Sequence, residues 1–179
     1  MAKTKSRSKR KTVGKSRSTK LVLPAVDPAT VKPLVGSDYP KPFCDCVAGR
    51  ARRKLGDAAG LTQFGVNLTT LPPGCESSMR HWHVKEDEFV FVVSGELVLV
   101  TDRGEQLLTP GMAAGFPAGK RDGHHLINRT RRNATFLEIG TRWPGGDEGD
   151  YSDIDMAVKI IDGVERYVHK DGAPYEIKR

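Results

Sequence analysis

From Leu61 onward, short β-branched and aromatic segments alternate with turn residues, and this pattern limits the possible folds more than any other feature of the chain. Segments of strand length lie at residues 63–71, 79–84, 88–93, 96–101, 105–108, 112–116, 124–128 and 135–139. Short strands at such regular spacing are typical of an antiparallel sandwich or barrel. The 179 residues suffice for one domain with a proper core. The sequence therefore predicts a single all-β domain.

The segments on either side of this series differ from it in composition. Five prolines between residues 21 and 43 forbid a regular helix and favour an extended arm, and residues 49–60 suggest a loop or a short turn of helix. Near the C-terminus, Asp162-Gly163 separates two β-rich pieces, a strong hairpin signal. We therefore expect a tail at 1–20, an arm and loop at 21–60, a barrel at 61–140, and a loop and β-hairpin packing on the barrel at 141–179.

The net charge of +7 is concentrated at the N-terminus. Residues 1–20 contain nine Lys and Arg and no acidic residue, whereas the remaining chain has 20 basic and 22 acidic side chains. A segment with so few apolar residues cannot offset its ordering entropy, so we expect a disordered basic tail. A solubilising role and weak, non-specific contact with nucleic acid both remain open. A mitochondrial presequence is disfavoured because the segment lacks an apolar face.

The distribution of apolar residues argues against a membrane protein. No run approaches the roughly 18 apolar residues that a membrane-spanning helix needs. The N-terminus also lacks the apolar region of a secretory signal. A protein of the cytoplasm, without a membrane contact, is the expectation.

One segment carries the residue types of a metal site. His81 and His83 flank Trp82, and alternate residues of a strand project to the same face, so both imidazoles can reach one point. Glu88 begins the next apolar strand. Residues 88–93 are apolar on both faces, which predicts burial on both sides and makes Glu88 costly unless it is paired or metal-bound. Two imidazoles and a carboxylate suit Mn, Fe, Ni or Zn.

A second histidine segment follows one hairpin pair later. His124 and His125 open a strand that ends at Asn128. Barrel closure would bring this strand back toward the first histidine segment. A single histidine in an apolar strand is more often a packing residue than a ligand, so this segment alone decides nothing.

Together the two segments resemble the paired motifs of the cupin superfamily. The first motif matches in the spacing of His81, His83, Glu88 and Gly95, with Gly74 one residue farther away than the motif has it. The second motif matches in Gly111, Pro117 and Gly119, and in the interval from His124 to Asn128. The loop 120–123 is two residues longer than in the motif. The flanking sequence is similar to small bacterial single-domain cupins that are loosely described as sugar-phosphate-isomerase-like, a fold-level analogy.

The resemblance implies a double-stranded β-helix, or jelly-roll barrel, with one divalent metal inside. The implied ligands are His81, His83, Glu88 and His124. His124 is preferred to His125 because only His124 keeps the motif's spacing to Asn128. Four protein ligands leave open positions for chemistry on a five- or six-coordinate metal. A metal that only stiffens the barrel is the alternative.

Several further residues are candidates with simpler alternatives. Asn128 could orient His124 or satisfy a turn. Glu138 is a weak candidate for a general base, and a salt bridge on the outer face is the simpler interpretation. Gln63, Asn67 and Thr69 share one strand face and could line a pocket or meet solvent. Trp82 points away from the ligands and is expected to pack.

Three functions compete. A nucleic-acid-associated protein would have to act through residues 1–20 alone, because no helix-turn-helix pattern accompanies the barrel. The other two functions use the metal site. One is a metal-dependent enzyme of isomerase, lyase or oxygenase type that acts on a small polar metabolite. The other is a metal-bearing module that binds or senses a small molecule without catalysis. The resemblance also implies a homodimer, with the proline-rich arm and the C-terminal hairpin as its expected interface.

Overall fold

Antiparallel strands dominate the computed structural model, which describes residues 21–175. Within these residues the strands are β1 (Leu34–Val35), β2 (Ala51–Lys54), β3 (Phe64–Leu71), β4 (His81–His83), β5 (Glu88–Ser94), β6 (Leu97–Thr101), β7 (Gly104–Leu108), β8 (Ala113–Phe116), β9 (His125–Ile127), β10 (Ala134–Thr141), β11 (Gly149–Tyr151), β12 (Ala157–Ile161) and β13 (Val164–Val168). The helices are α1 (Leu55–Ala58) and two 3₁₀ turns, Pro28–Thr30 and Asp45–Val47. The all-β prediction is confirmed. The basic tail expected at 1–20 lies outside the described residues.

The strands form two facing layers. One layer is a six-stranded sheet in the order β1-β2-β3-β10-β5-β8. The other contains a four-stranded sheet, β13-β12-β11-β4, and a three-stranded sheet, β7-β6-β9. An isolated β-bridge between His81 and His124 joins these two sheets. The jelly-roll arrangement expected from the sequence is therefore present.

The space between the layers changes from apolar to polar along the strands. On the inner face of β5, Val90 and Val92 are buried, and Phe136 of β10 packs in the same core cluster. Glu88 and Glu138 lie on the same inner faces, at the other end of these two strands, and line the cavity. Because alternate residues share a face, one strand contributes both to the core and to the cavity beside it. The core thus forms the floor of a polar cavity.

The outer face of β5 differs from the prediction. Phe89, Phe91 and Val93 are 43%, 37% and 47% exposed, so the expectation of a strand buried on both sides is wrong for this chain. The strand is paired on both edges, with β10 and with the edge strand β8, but the described residues cover only its inner face. Alternation along a strand shows which side chains share a face, but it does not show whether another element covers that face.

The flanking segments are hydrogen-bonded into the two layers. Residues 51–54, expected in a loop or helical turn, form β2, which pairs with β3. At the other end of the chain, β11 pairs with β4 and continues into the β12–β13 hairpin, where Asp162 and Gly163 adopt positive φ. The segments at 21–60 and 141–175 therefore complete the walls of the barrel. No helix within residues 21–175 is long and apolar enough to span a membrane.

The turn after β5 gives a test of this packing. Gly95 has φ +75°, and a Cβ added there would lie 2.7 Å from the Cα of Ala134. Gly74 has φ +77°, but an added Cβ would meet nothing within 4 Å. Both Gly→Ala variants bear the cost of a left-handed backbone, about 1–2 kcal/mol. Only Gly95→Ala adds overpacking, so we expect its free energy of unfolding to be lower by about a further 1–3 kcal/mol. Urea denaturation measures both, and equal losses would contradict the packing described.

Candidate metal centre

Four side chains converge between the layers. The Nε2 atoms of His81 and His83 are 3.1 Å apart, and Oε2 of Glu88 lies 3.2 Å from Nε2 of His124 and 3.4 Å from Nε2 of His83. One ligand atom from each of the four residues lies within 4.8 Å of every other. The structure therefore brings together all four residues that the sequence names as metal ligands.

The local structure explains why they meet. His81 and His83 are two residues apart on β4 and so point to one side. The backbone of His124 exchanges hydrogen bonds with that of His81, 3.2 Å and 2.9 Å long, which places it next to β4. Glu88, the first residue of β5, faces them from the opposite layer. Each layer supplies part of the cluster.

The adjacent histidine faces elsewhere. Nδ1 of His125 lies 3.0 Å from the carbonyl oxygen of Ser78 and 3.3 Å from a carboxylate oxygen of Glu76. His124 instead is 3% exposed and stacks on Phe116, with ring centroids 3.6 Å apart. Strand alternation thus places His124 in the cluster and His125 outside it.

Hydrogen bonds on the far side of the rings orient two imidazoles. Nδ1 of His81 lies 2.9 Å from the carbonyl oxygen of Met79, and Nδ1 of His83 lies 2.8 Å from Oδ2 of Asp147. A carbonyl oxygen can only accept, so Nδ1 of His81 carries the hydrogen and its Nε2 lone pair points into the cluster. A carboxylate on the outer nitrogen, as at His83, is the usual support of a metal-binding histidine. Orientation and donor chemistry both fit a divalent cation.

The electrostatics of the cluster follow from its burial. Burial, reinforced by the neighbouring His83, lowers the pKa of His81 to about 3. Burial also opposes charge on His83, but its hydrogen bonds to Asp147 and Glu88 raise its pKa to about 10. Burial opposes charge on Glu88 as well, yet hydrogen bonds from His124 and His83 hold its pKa well below the usual range. A cation bound here would meet an anionic Glu88, and His83 would release its proton.

A second group of possible ligands adjoins the first. His83, Glu86 and Asp147 also offer atoms within 4.8 Å of one another. Both oxygens of Asp147 are already engaged, by Nδ1 of His83 and by the backbone N–H of Lys85 at 2.8 Å. The four-residue cluster has the larger and better oriented donor set.

A cavity of about 410 Å³ opens from the cluster. Glu138 lines it and accepts a hydrogen bond from Nδ2 of Asn67 at 3.0 Å, and Arg52 lies 3.3 Å from the same carboxylate. The expectation of a salt bridge on the outer face is therefore wrong in its location, because the pair lies inside the cavity. Glu138 shares its strand face with buried Phe136, which is the signal that places it inside.

The other candidates divide between cavity and framework. Asn67 lines the cavity, Thr69 is fully buried, and Gln63 is exposed. Asn128 does not support His124; its amide donates to the carbonyl oxygens of Leu71 and Arg132 at 2.8 Å and 2.7 Å, so it fastens a turn. Trp82 points away from the cluster as expected, with the guanidinium of Arg121 5.5 Å from its ring centroid.

Several cavity residues escape the sequence motifs. They come from the flanking segments and include Tyr39, Arg50, Arg52, Lys54, Asp147, Tyr151 and Tyr167. The alternation of Arg50, Arg52 and Lys54 is a period-two signal that could have identified β2. Asp147 has no such signal, because it begins a segment, 147–155, in which five of nine residues are acidic.

Comparison with known proteins identifies the architecture. The sequence model of the cupin domain family matches residues 67–140. A sugar phosphate isomerase from Silicibacter pomeroyi, itself assigned to the cupin superfamily, is 47% identical, with a TM-score of 0.81. The match covers 86% of this chain and 97% of that one. The chain belongs to the cupin superfamily.

Other solved cupin-like structures are more distant. A proposed sugar phosphate isomerase from Acidithiobacillus ferrooxidans is 30% identical, with a TM-score of 0.64, and the match covers 74% of this cupin and 82% of that chain. A polyketide cyclase from Streptomyces resistomycificus is 21% identical, with a TM-score of 0.54 over 67% of this chain and 80% of that chain, and shows the fold alone. No curated protein matches the sequence.

The contact between Asp147 and His83 gives a prediction for this cupin. In Asp147→Asn, one amide oxygen cannot accept from both His83 and Lys85, so His83 loses its orienting partner. We expect the affinity for a divalent metal to fall about 10- to 100-fold. Asp150→Asn is the matched control, because Asp150 lies on β11 and pairs with Lys170. Competition with a chelator measures both, and equal affinities of the two variants would contradict the role of Asp147.

Proposed function

We propose that this cupin is a divalent-metal-dependent isomerase of phosphorylated sugars. The observation that carries the proposal is a single cavity lined by His81, His83 and Glu88 of the cluster and by a separate carboxylate, Glu138. Two related structures, 47% and 30% identical, bear the name of sugar phosphate isomerases, one of them as a proposal. Isomerase chemistry is also one of the three reaction types expected from the sequence.

The position of Glu138 suits proton transfer. Glu138 pairs with Val90 across β10 and β5, and Glu88 lies two residues before Val90 on the same face. Such diagonal positions are about 7–8 Å apart. Gly140, opposite Glu88, adds no side chain to the space between the two carboxylates. A small substrate held beside the cluster would therefore meet Glu138 directly.

The proposed reaction moves hydrogen between neighbouring carbons of one molecule. A divalent metal on His81, His83, Glu88 and His124 would polarise the carbonyl and adjacent hydroxyl oxygens. Glu138 takes the proton from the carbon next to the carbonyl and returns it to the former carbonyl carbon, while a hydroxyl proton moves between the two oxygens. The atoms balance without an oxidant or reductant. Asn67 holds the carboxylate for this transfer through a 3.0 Å hydrogen bond, and Arg52 lies 3.3 Å from it.

Other expectations from the sequence stay predictions. They are the homodimer, the cytoplasmic location and weak nucleic-acid contact through residues 1–20. The metal-bearing binding or sensing module also stays an alternative. Sugar phosphates that raise the melting temperature of the protein without being interconverted would favour that alternative.

The histidine pair tests the ligand set. In His124→Gln one inward-facing ligand is lost, so we expect the purified protein to retain far less than one divalent metal per chain. His125→Gln is the matched control, since its ring faces Ser78 and Glu76, and we expect it to keep the wild-type metal content. Elemental analysis measures both variants. Full metal content in His124→Gln, or loss in His125→Gln alone, would overturn the assignment.

Glu138→Gln tests the proposed base. The amide keeps the size of the side chain but cannot take a proton, so we expect kcat to fall about 10²- to 10⁴-fold while the metal content is unchanged. Nuclear magnetic resonance in D₂O follows aldose–ketose interconversion and deuterium uptake. Glu105→Gln, which removes a surface ion pair with Arg129, serves as the control for activity. Unchanged turnover in Glu138→Gln would exclude it as the base.

A further inference from the structure

We propose that Arg52 and Lys54, on β2, form a subsite for the anionic end of the substrate, at the opposite side of the cavity from the metal centre. The choice of a phosphorylated sugar rests on the proposed function. The subsite itself would bind inorganic phosphate whether or not the protein is an isomerase. It lies outside residues 67–140, the part of the chain that carries the family motifs.

The strand alternation gives β2 a basic inner face. Arg52 and Lys54 both line the cavity, whereas Arg53 between them projects to the other side of the sheet. Arg50 precedes them on the cavity side, but its guanidinium already donates to the carbonyl oxygens of Ser77 and Gly36. Arg50 therefore fixes the arm, and Arg52 and Lys54 are the cations that face the substrate.

These two cations have unused hydrogen-bonding capacity. Nη2 of Arg52 is 3.3 and 3.5 Å from the two carboxylate oxygens of Glu138, so these contacts are long. Nε of Arg52 is buried without a hydrogen-bond partner among residues 21–175, as are Nε of Arg50 and Nε of Arg53. In the same part of the chain Lys54 forms no ion pair. Arg142, the other cation at the cavity, is paired with Asp57. A phosphate group could accept hydrogen bonds from Arg52 without displacing a strong contact.

Four further acidic side chains at the cavity have hydrogen-bond or ion-pair partners outside β2. Glu86 accepts from the backbone N–H of Trp143, Asp87 from that of Ala118, and Glu165 from that of Asp147. Glu148 pairs with Lys159. None of these contacts involves Arg52 or Lys54, so the two cations of β2 are not the partners of these four carboxylates.

The sheet geometry separates the two ends of the site by a suitable distance. β2 and β5 are three strand intervals apart in the order β2-β3-β10-β5, about 14 Å at ~4.8 Å per interval. Long side chains occupy part of this distance at both ends. The space that remains fits a molecule of a few carbon atoms. Asn67 and Glu138 lie between, in one row with Lys54. A substrate with phosphate at β2 and carbonyl at the metal would pass Glu138.

The residue types match the group that they would bind. The planar guanidinium of arginine presents parallel N–H donors to two phosphate oxygens, and lysine adds a compact positive charge. A neutral polyol offers hydroxyl acceptors but no negative charge to pair with the two cations. The subsite therefore selects substrates that carry a phosphate or a similar anion at the end away from the reacting carbons.

The test compares binding of inorganic phosphate to the full-length, metal-loaded protein and its variants by calorimetry. We expect Arg52→Gln and Lys54→Gln each to weaken phosphate binding about tenfold or more, a typical effect of losing one charge-assisted contact. Arg53→Gln, the neighbour on the opposite face, should bind like the wild type. Lys54→Gln leaves the Arg52–Glu138 contact intact, so it tests the subsite even if Arg52→Gln disturbs Glu138. Wild-type binding in both variants would overturn the proposal.

Two further measurements distinguish failure of the subsite from failure of the proposed isomerase function. His124→Gln should still bind phosphate, because the subsite lies away from the metal; loss of binding in this variant alone would place the anion at the metal and contradict the subsite. With phosphorylated sugars, the KM should rise at least tenfold in Arg52→Gln and Lys54→Gln. Phosphate binding that depends on β2, in a protein that isomerises no sugar phosphate, would leave the subsite standing and refute the isomerase.

Discussion

A buried carboxylate needs compensating partners, and the site of this cupin is arranged around the one on Glu88. Three imidazoles face that carboxylate across the two layers, and two of them are held from behind by Met79 and Asp147. Ionising Glu88 in this place is costly unless positive charge is close. A divalent cation bound among these four side chains would supply that charge. The rest of the cavity continues from this point.

The sequence predicted the parts of the site that depend on local alternation. His81 and His83 share a face because they are two residues apart, and His124 is separated from His125 by the same rule. The faces of β5 and β10 were harder to predict. Alternation places Phe89 and Phe91 on one face of β5. It does not show that this face is uncovered in the described part of the chain. For Glu138 the sequence favours an outer salt bridge over an inward base, although buried Phe136 shares its face.

The residues that remained unpredicted come from tertiary pairing over long sequence distances. Asp147 meets His83 because β11 pairs with β4, and no motif in the acidic loop distinguishes it from its neighbours. β2 has a polar inner face, so it lacks the apolar alternation by which strands are recognised. The alternating basic residues Arg50, Arg52 and Lys54 are a weaker, polar signal of the same period. In this cupin β2 and β11 add residues to the pocket, whereas the family motifs contain the candidate metal ligands.

The central claim is that the four-residue cluster holds one divalent cation. Anomalous diffraction from crystals of the protein loaded with Mn, Fe, Ni or Zn tests it most directly. The account predicts a single peak within coordination distance of Nε2 of His81, His83 and His124 and of the Glu88 carboxylate, about 2.0–2.2 Å for zinc. A peak among His83, Glu86 and Asp147 instead, or no peak at either group, would contradict it.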